Sequence, residues 1–93
     1  MTGQHAVTVR VPNRLGLHAR PAAEFVKLAG RFHADVWVRK DELEVNGKSI
    51  MGMMMLAAEC GSQLSIRTAG TDAETAAAEL AALVQRGFDE ELA

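Results

Sequence analysis

Asn13-Arg14-Leu15-Gly16-Leu17-His18-Ala19-Arg20-Pro21-Ala22-Ala23 is the stretch where a strand pattern ends and a helix pattern begins. Just upstream, residues 5–11 alternate. Val7, Val9 and Val11 share one side and Ala6, Thr8 and Arg10 the other, as in a half-buried strand. Pro12 and Asn13 stop that strand, and Gly16 marks a tight loop. The helix starts between His18 and Pro21, because proline is tolerated in a first turn whose N–H groups have no partner anyway. Ala22, Phe25, Val26 and Ala29 fall on one helical face, and Gly30 is placed to stop the helix at about residue 29.

Downstream the alternation resumes. Val36 and Val38 point one way, and Asp35, Trp37 and Arg39 the other. Asp41-Glu42 is a turn, and Leu43-Glu44-Val45 a short return strand closed by Asn46-Gly47. A second helix is expected from Ser49 to about Ala58, broken by Gly61. Gln63 to Arg67 forms the last strand, with Leu64 and Ile66 inward. Thr71 and Glu74 have the spacing of a capping box. They open a helix with Ala73, Ala76, Ala77, Leu80, Leu83, Val84 and Phe88 on its apolar face. The order is therefore β-α-β-β-α-β-α. Because each strand alternates, the sheet has one covered and one wet face and is mainly antiparallel. The helices then lie together on the covered face, giving an open-faced two-layer α+β sandwich.

Ninety-three residues make one domain over residues 1–93, too small for a large internal substrate cavity. Ten Lys and Arg against twelve Asp and Glu, a net charge of −2, argue against a nucleic-acid binder held by bulk positive charge. The charge is uneven. Residues 1–23 carry Arg10, Arg14 and Arg20 and no acid, whereas residues 68–93 carry six acids against Arg86. A phosphate or an acidic partner is drawn to the end that holds His18. The lone Cys60 has no internal disulfide partner and suits a reducing cytoplasm. No apolar run is long enough to insert in a membrane, and no basic-then-apolar leader is read at the N-terminus. His5, His18, His33 and Cys60 have no zinc-like spacing, so no metal or other cofactor is expected.

An imidazole is a good nucleophile near neutral pH. At a helix N-terminus the partial positive charge favours its neutral form, and the free amides of the first turn make an anion site. Here those amides belong to Ala19, Arg20 or their near neighbours. Arg20 adds a planar, permanently charged fork for phosphate oxygens. Leu15, Gly16 and Leu17 form a partly apolar collar that leaves the ring accessible. This combination suits a phosphoryl relay, in which positioning and charge stabilisation carry the transfer. His5 and His33 lack a following Arg-Pro helix start and read as ordinary surface residues.

Leu17-His18-Ala19-Arg20-Pro21-Ala22-Ala23, together with Asn46-Gly47-Lys48-Ser49-Ile50-Met51-Gly52, resembles HPr, the histidine phosphocarrier family of the bacterial phosphoenolpyruvate-dependent phosphotransferase system. The likeness spans essentially the whole chain. It implies a four-stranded antiparallel sheet with three helices on one face. It also implies that enzyme I transfers the phosphoryl group of phosphoenolpyruvate to Nδ1 of His18, and that the phosphorylated chain hands it to an enzyme IIA domain. Arg20 then matches the family's active-site arginine and Pro21 the proline after it. The chain is on this view a carrier and the substrate of its partners, not an enzyme in the turnover sense. Nothing in it demands more than a monomer.

Ser49 is placed to cap the second helix. By resemblance it matches the serine that a dedicated kinase, HPr kinase/phosphorylase, modifies in many bacteria. A phosphate there sits well on a helix start while repelling an acidic partner. Ile50, Met51, Met53, Met54 and Met55 cannot all face one way. About half are expected to fill the core, and the rest to form an adaptable apolar patch for unlike partners. Ile50 and Met51 match the family's partner interface, with Met54 beside them and Lys27 and Lys48 as a polar rim. The MMMLAA run is similar to proteobacterial forms, including the nitrogen-related branch, whereas Pro21 favours the sugar branch. A regulatory module acting mainly through Ser49 is the alternative.

Overall fold

The computed structural model describes residues 3–93; Met1 and Thr2, where the segment read as lacking a leader begins, lie outside them. Strands β1 (Gly3–Arg10), β2 (Asp35–Lys40), β3 (Leu43–Asn46) and β4 (Gln63–Gly70) form one antiparallel sheet in the order β1-β4-β2-β3. Helices α1 (Ala19–Ala29), α2 (Ile50–Met55) and α3 (Ala73–Gln85) complete the α+β layers, and a 3₁₀ turn follows over Gly87–Asp89.

Register explains why one face is covered. Val7, Ile66, Val38 and Val45 stand side by side in a row across all four strands. The next row, Ala6, Arg67, Trp37 and Asn46, points to the other face. A slip of one residue turns the whole valine–isoleucine set outward, so burial holds the register. The core joins Val9, Val36, Val38, Leu64 and Ile66 of the sheet to Phe25, Met53, Leu80, Val84 and Phe88. On the wet face Arg67 covers Trp37, its guanidinium 3.9 Å from the ring centre.

Several local expectations are corrected. The box between Thr71 and Glu74 does not form. Asp72 is the N-cap of α3 and makes no capping bond. Its carboxylate instead accepts from the amides of His33 and Ala34, both at 2.8 Å, tying α3 to the start of β2. α2 ends at Met55, well before Gly61, because Ala57 turns left-handed (φ 48°) and residues 56–58 give their carbonyls to other elements. Lys40 takes those of Leu56 and Ala57, and the Leu17 amide that of Ala58. Gly30 does cap α1, yet in ordinary right-handed geometry. Of the five residues Ile50, Met51, Met53, Met54 and Met55, Met53 alone is buried, not about half of them. Phe88 is buried as expected but lies past the end of α3.

No helix among the described residues is long and apolar enough to cross a membrane.

Candidate functional site

His18 is the N-cap of α1, with extended backbone (φ −80°, ψ −170°). Its carbonyl accepts from the Ala22 amide at 3.0 Å, closing the first turn. Pro21 has no N–H, so the amides left open at this helix start are those of Ala19 and Arg20. The loop before it is tightly seated. Gly16 has φ +68°, and a Cβ there meets the Ala58 carbonyl oxygen at 2.6 Å, so only glycine fits. The neighbouring Leu17 amide donates to that same carbonyl at 2.8 Å. The collar is thereby pinned to residues 57–60. Between them runs a groove of about 500 Å³ lined by Arg14, Leu15, Leu17, His18 and residues 57–60.

A residue from the far end of the chain completes the site. Glu90 places Oε2 2.8 Å and Oε1 3.0 Å from His18 Nε2. Arg20 Nε donates to Glu90 Oε2 at 2.8 Å, and a terminal Arg20 nitrogen donates to the Phe88 carbonyl. Asn13, fully buried, donates through Nδ2 to Glu90 Oε1 at 2.9 Å and to the Gly16 carbonyl at 2.7 Å. Asn13 Oδ1 is buried without a partner among the described residues.

Partial burial of Glu90, whose side chain is 15 % exposed, works to raise its carboxyl. Hydrogen bonds from Arg20, His18 and Asn13 outweigh that and bring it down to about 2. Glu90 is therefore ionised and only accepts hydrogen bonds. It follows that Nε2 of His18 carries the proton, and in the neutral ring Nδ1 holds the lone pair. The ring is 38 % exposed.

Two features deliver Glu90. Gly87, Phe88 and Asp89 turn left-handed in succession (φ 67°, 55° and 61°). Such backbone costs on the order of 1–3 kcal/mol per non-glycine residue. The burial of Phe88 contributes about 1.5–3 kcal/mol against that. The last residues then pair with the loop after β1. Arg14 N donates to Glu91 O at 2.9 Å and Ala93 N to Pro12 O at 3.0 Å.

His18, Ala19, Arg20 and Pro21 stand together at the start of α1. Pro21 is buried, and Ala19 and Arg20 are exposed. Ser49 caps α2, its Oγ accepting from the Gly52 amide at 3.0 Å. Ile50, Met51 and Met54 are exposed. Lys27 is exposed on α1 and lines a separate groove with Arg31 and Arg86. Lys48 is not at the His18 end of α1; its ammonium donates to the Phe32 carbonyl, beyond the opposite end. Glu90 was missed by sequence reasoning, which saw it only as one of the C-terminal acids. Gly87, a candidate for a left-handed turn just before it, was the available signal.

The chain matches the family model described as PTS HPr component phosphorylation site over residues 6–86. It is 48% identical over 84 residues to the phosphocarrier protein HPr of Treponema pallidum, covering 90% of this chain and 96% of the relative. It is likewise 48% identical over 82 residues to the HPr-like protein Crh of Bacillus subtilis, covering 88% and 94%. The crystal structure of a phosphocarrier protein HPr from Bacillus anthracis superposes with a TM-score of 0.86 at 52% identity, covering 89% of this chain and 99% of that one. The chain belongs to the HPr family of phosphotransferase-system phosphocarriers.

Proposed function

We propose that His18 accepts a phosphoryl group on Nδ1 from phospho-enzyme I and passes it to an enzyme IIA domain. The observation that carries this is the short contact between ionised Glu90 and His18 Nε2, which leaves Nδ1 as the ring's lone-pair nitrogen. That lone pair attacks phosphorus; the Nδ1–P bond forms as the bond to the donor breaks, and the bonding electrons leave with the donor. The open amides of Ala19 and Arg20 and the Arg20 guanidinium receive the phosphate oxygens. Arg20 already spends one N–H on Glu90 and another on Phe88. The phosphoryl group therefore competes with Glu90 for it.

On this reading the chain works as one domain and as a carrier, the substrate of its partners, with turnover belonging to them. The exposed Ile50, Met51 and Met54 dock those partners, with Lys27 and Lys48 at the polar margin. The carrier acts as a monomer in the cytoplasm, in the sugar branch or the nitrogen-related branch of the system. Ser49 is the site for a regulatory kinase. Its hydroxyl is already used as a cap, so its phosphorylation exchanges that bond for a phosphate on the same helix start.

Phosphorus NMR of the chain incubated with phosphoenolpyruvate, magnesium and enzyme I tests the reading. An acid-labile phosphoimidazole signal, absent from His18→Ala, is the expected result. No signal with an active enzyme I, or an acid-stable signal depending on Ser49, overturns it in favour of a regulatory module.

A further inference from the structure

Four methionines crowd into residues 51–55, and their surroundings sort them. Met53 is fully buried, whereas Met51, Met55 and Met54 are exposed by 74, 66 and 46 %. On α2 the exposed three stand at i, i+3 and i+4, so their thioethers share one face. Leucine covers an apolar patch as well as methionine does. What the thioether adds is a soft sulfur open to two-electron oxidation. This face is joined to the His18 site through the chain. α2 runs directly into residues 57–60, which line the His18 groove and hold the Leu17 amide.

We propose that Met51, Met54 and Met55 form a peroxide-reactive modification site whose conversion to sulfoxide weakens docking of the phosphoryl donor at His18. The second half of this rests on the phosphocarrier reading above. In the chemical step, a thioether lone pair attacks one oxygen of hydrogen peroxide. The S–O bond forms as the O–O bond breaks. The departing hydroxide takes the remaining peroxide proton and leaves as water. Sulfur is oxidised by two electrons and peroxide is reduced by two. Each sulfoxide sets a strong dipole and hydrogen-bond acceptor on a surface that a partner must desolvate. Met53, sealed in the core, reacts only when the fold opens.

The experiment treats the full chain, in a Cys60→Ser background that removes thiol chemistry, with graded hydrogen peroxide. Peptide mass spectrometry follows each methionine, and steady-state kinetics follow phosphoryl uptake from enzyme I and phosphoenolpyruvate. The expected result is oxidation of Met51, Met54 and Met55 ahead of Met53. KM for enzyme I rises on the order of tenfold with little change in kcat, a docking loss equivalent to about 1.4 kcal/mol. Methionine sulfoxide reductases restore the original KM. A Met51→Leu/Met54→Leu/Met55→Leu variant is compared with itself before and after peroxide, and its KM does not move. Oxidation of Met53 at the same rate as the others, or a KM unchanged after the three are oxidised, overturns the proposal. If the untreated chain takes up no phosphoryl group, the phosphocarrier reading is what has failed. In that case the order of oxidation still decides whether the modification site exists.

Discussion

Glu90 Oε2 lies 2.8 Å from His18 Nε2, although the two residues are 72 positions apart. The pairing sets which ring nitrogen holds the proton and ties the chain's C-terminal turn to the start of α1. From the sequence, the helix terminus favours the neutral imidazole, Arg20 adds the phosphate fork and the Leu15–Leu17 collar leaves the ring open. In the structure the terminus supplies open amides, and Glu90 supplies orientation and a counter-charge.

Removing that carboxylate tests its part directly. Glu90→Ala is expected to slow phosphoryl uptake about tenfold, the equivalent of one charge-assisted hydrogen bond of about 1.5 kcal/mol. Nitrogen-15 NMR of the imidazole gives the readout that loss of packing alone leaves unmoved. The Nε2–H tautomer dominates in the parent chain and gives way to a mixture in the variant. An unchanged tautomer ratio removes Glu90 from the mechanism.

Glu90 also predicts an acid limb. Its carboxyl sits at about 2 in the folded chain against an ordinary 4.5. As pH falls, the unfolded chain takes up the proton first, which favours unfolding. The stability Glu90 contributes is therefore complete above pH 4.5 and drains away as pH falls toward about 2. Urea melts of the parent chain and Glu90→Gln are expected to differ at about pH 6 and to converge by about pH 2. A difference that is constant over that range contradicts the pairing.

Arg20→Lys keeps the charge and loses the fork that serves Glu90 and Phe88 together. The expected outcome is a folded protein with transfer slowed about tenfold or more in both directions. A wild-type rate with both donor and acceptor leaves Arg20 without the role given to it here.

The left-handed turn is held by its aromatic anchor. Phe88→Ala is expected to cost about 3–5 kcal/mol, as for other buried phenylalanines. It also frees residues 87–89 to leave their strained backbone, so the Glu90–His18 contact is lost with it. Thermal unfolding reads the first effect and the His18 tautomer the second. Phe88→Leu, which keeps an apolar anchor, is expected to restore most of both.

Ser49→Ala removes the acceptor for the Gly52 amide and is expected to cost about 1 kcal/mol. In a domain of this size that lowers Tm by roughly 4–8 °C. Phosphoryl uptake at His18 is expected to continue. Calorimetry and the uptake assay, run on one preparation, check both halves.

The sequence by itself determined the order of the strands, a helix start between His18 and Pro21 and the covered face of the sheet, but it stopped the last strand at Arg67, where pairing of Gly3 with Gly70 carries β4 on to Gly70. Those three features rest on period-two and helical spacing and on proline at a first turn, all of which act within a few residues. It also carried the two motifs by which the family was recognised. Tertiary structure alone decided how the histidine is dressed. Pairing of the last residues with the loop after β1 brings Glu90 to a ring it never neighbours in sequence. The left-handed Phe88 that helps aim it has no local preference for that geometry, and its burial enforces it. The same holds for Asp72, whose carboxylate finds distant amides in place of its own helix, and for Met53, the one methionine of its run drawn inside. Each depends on which surface happens to lie opposite, and no spacing along the chain records that.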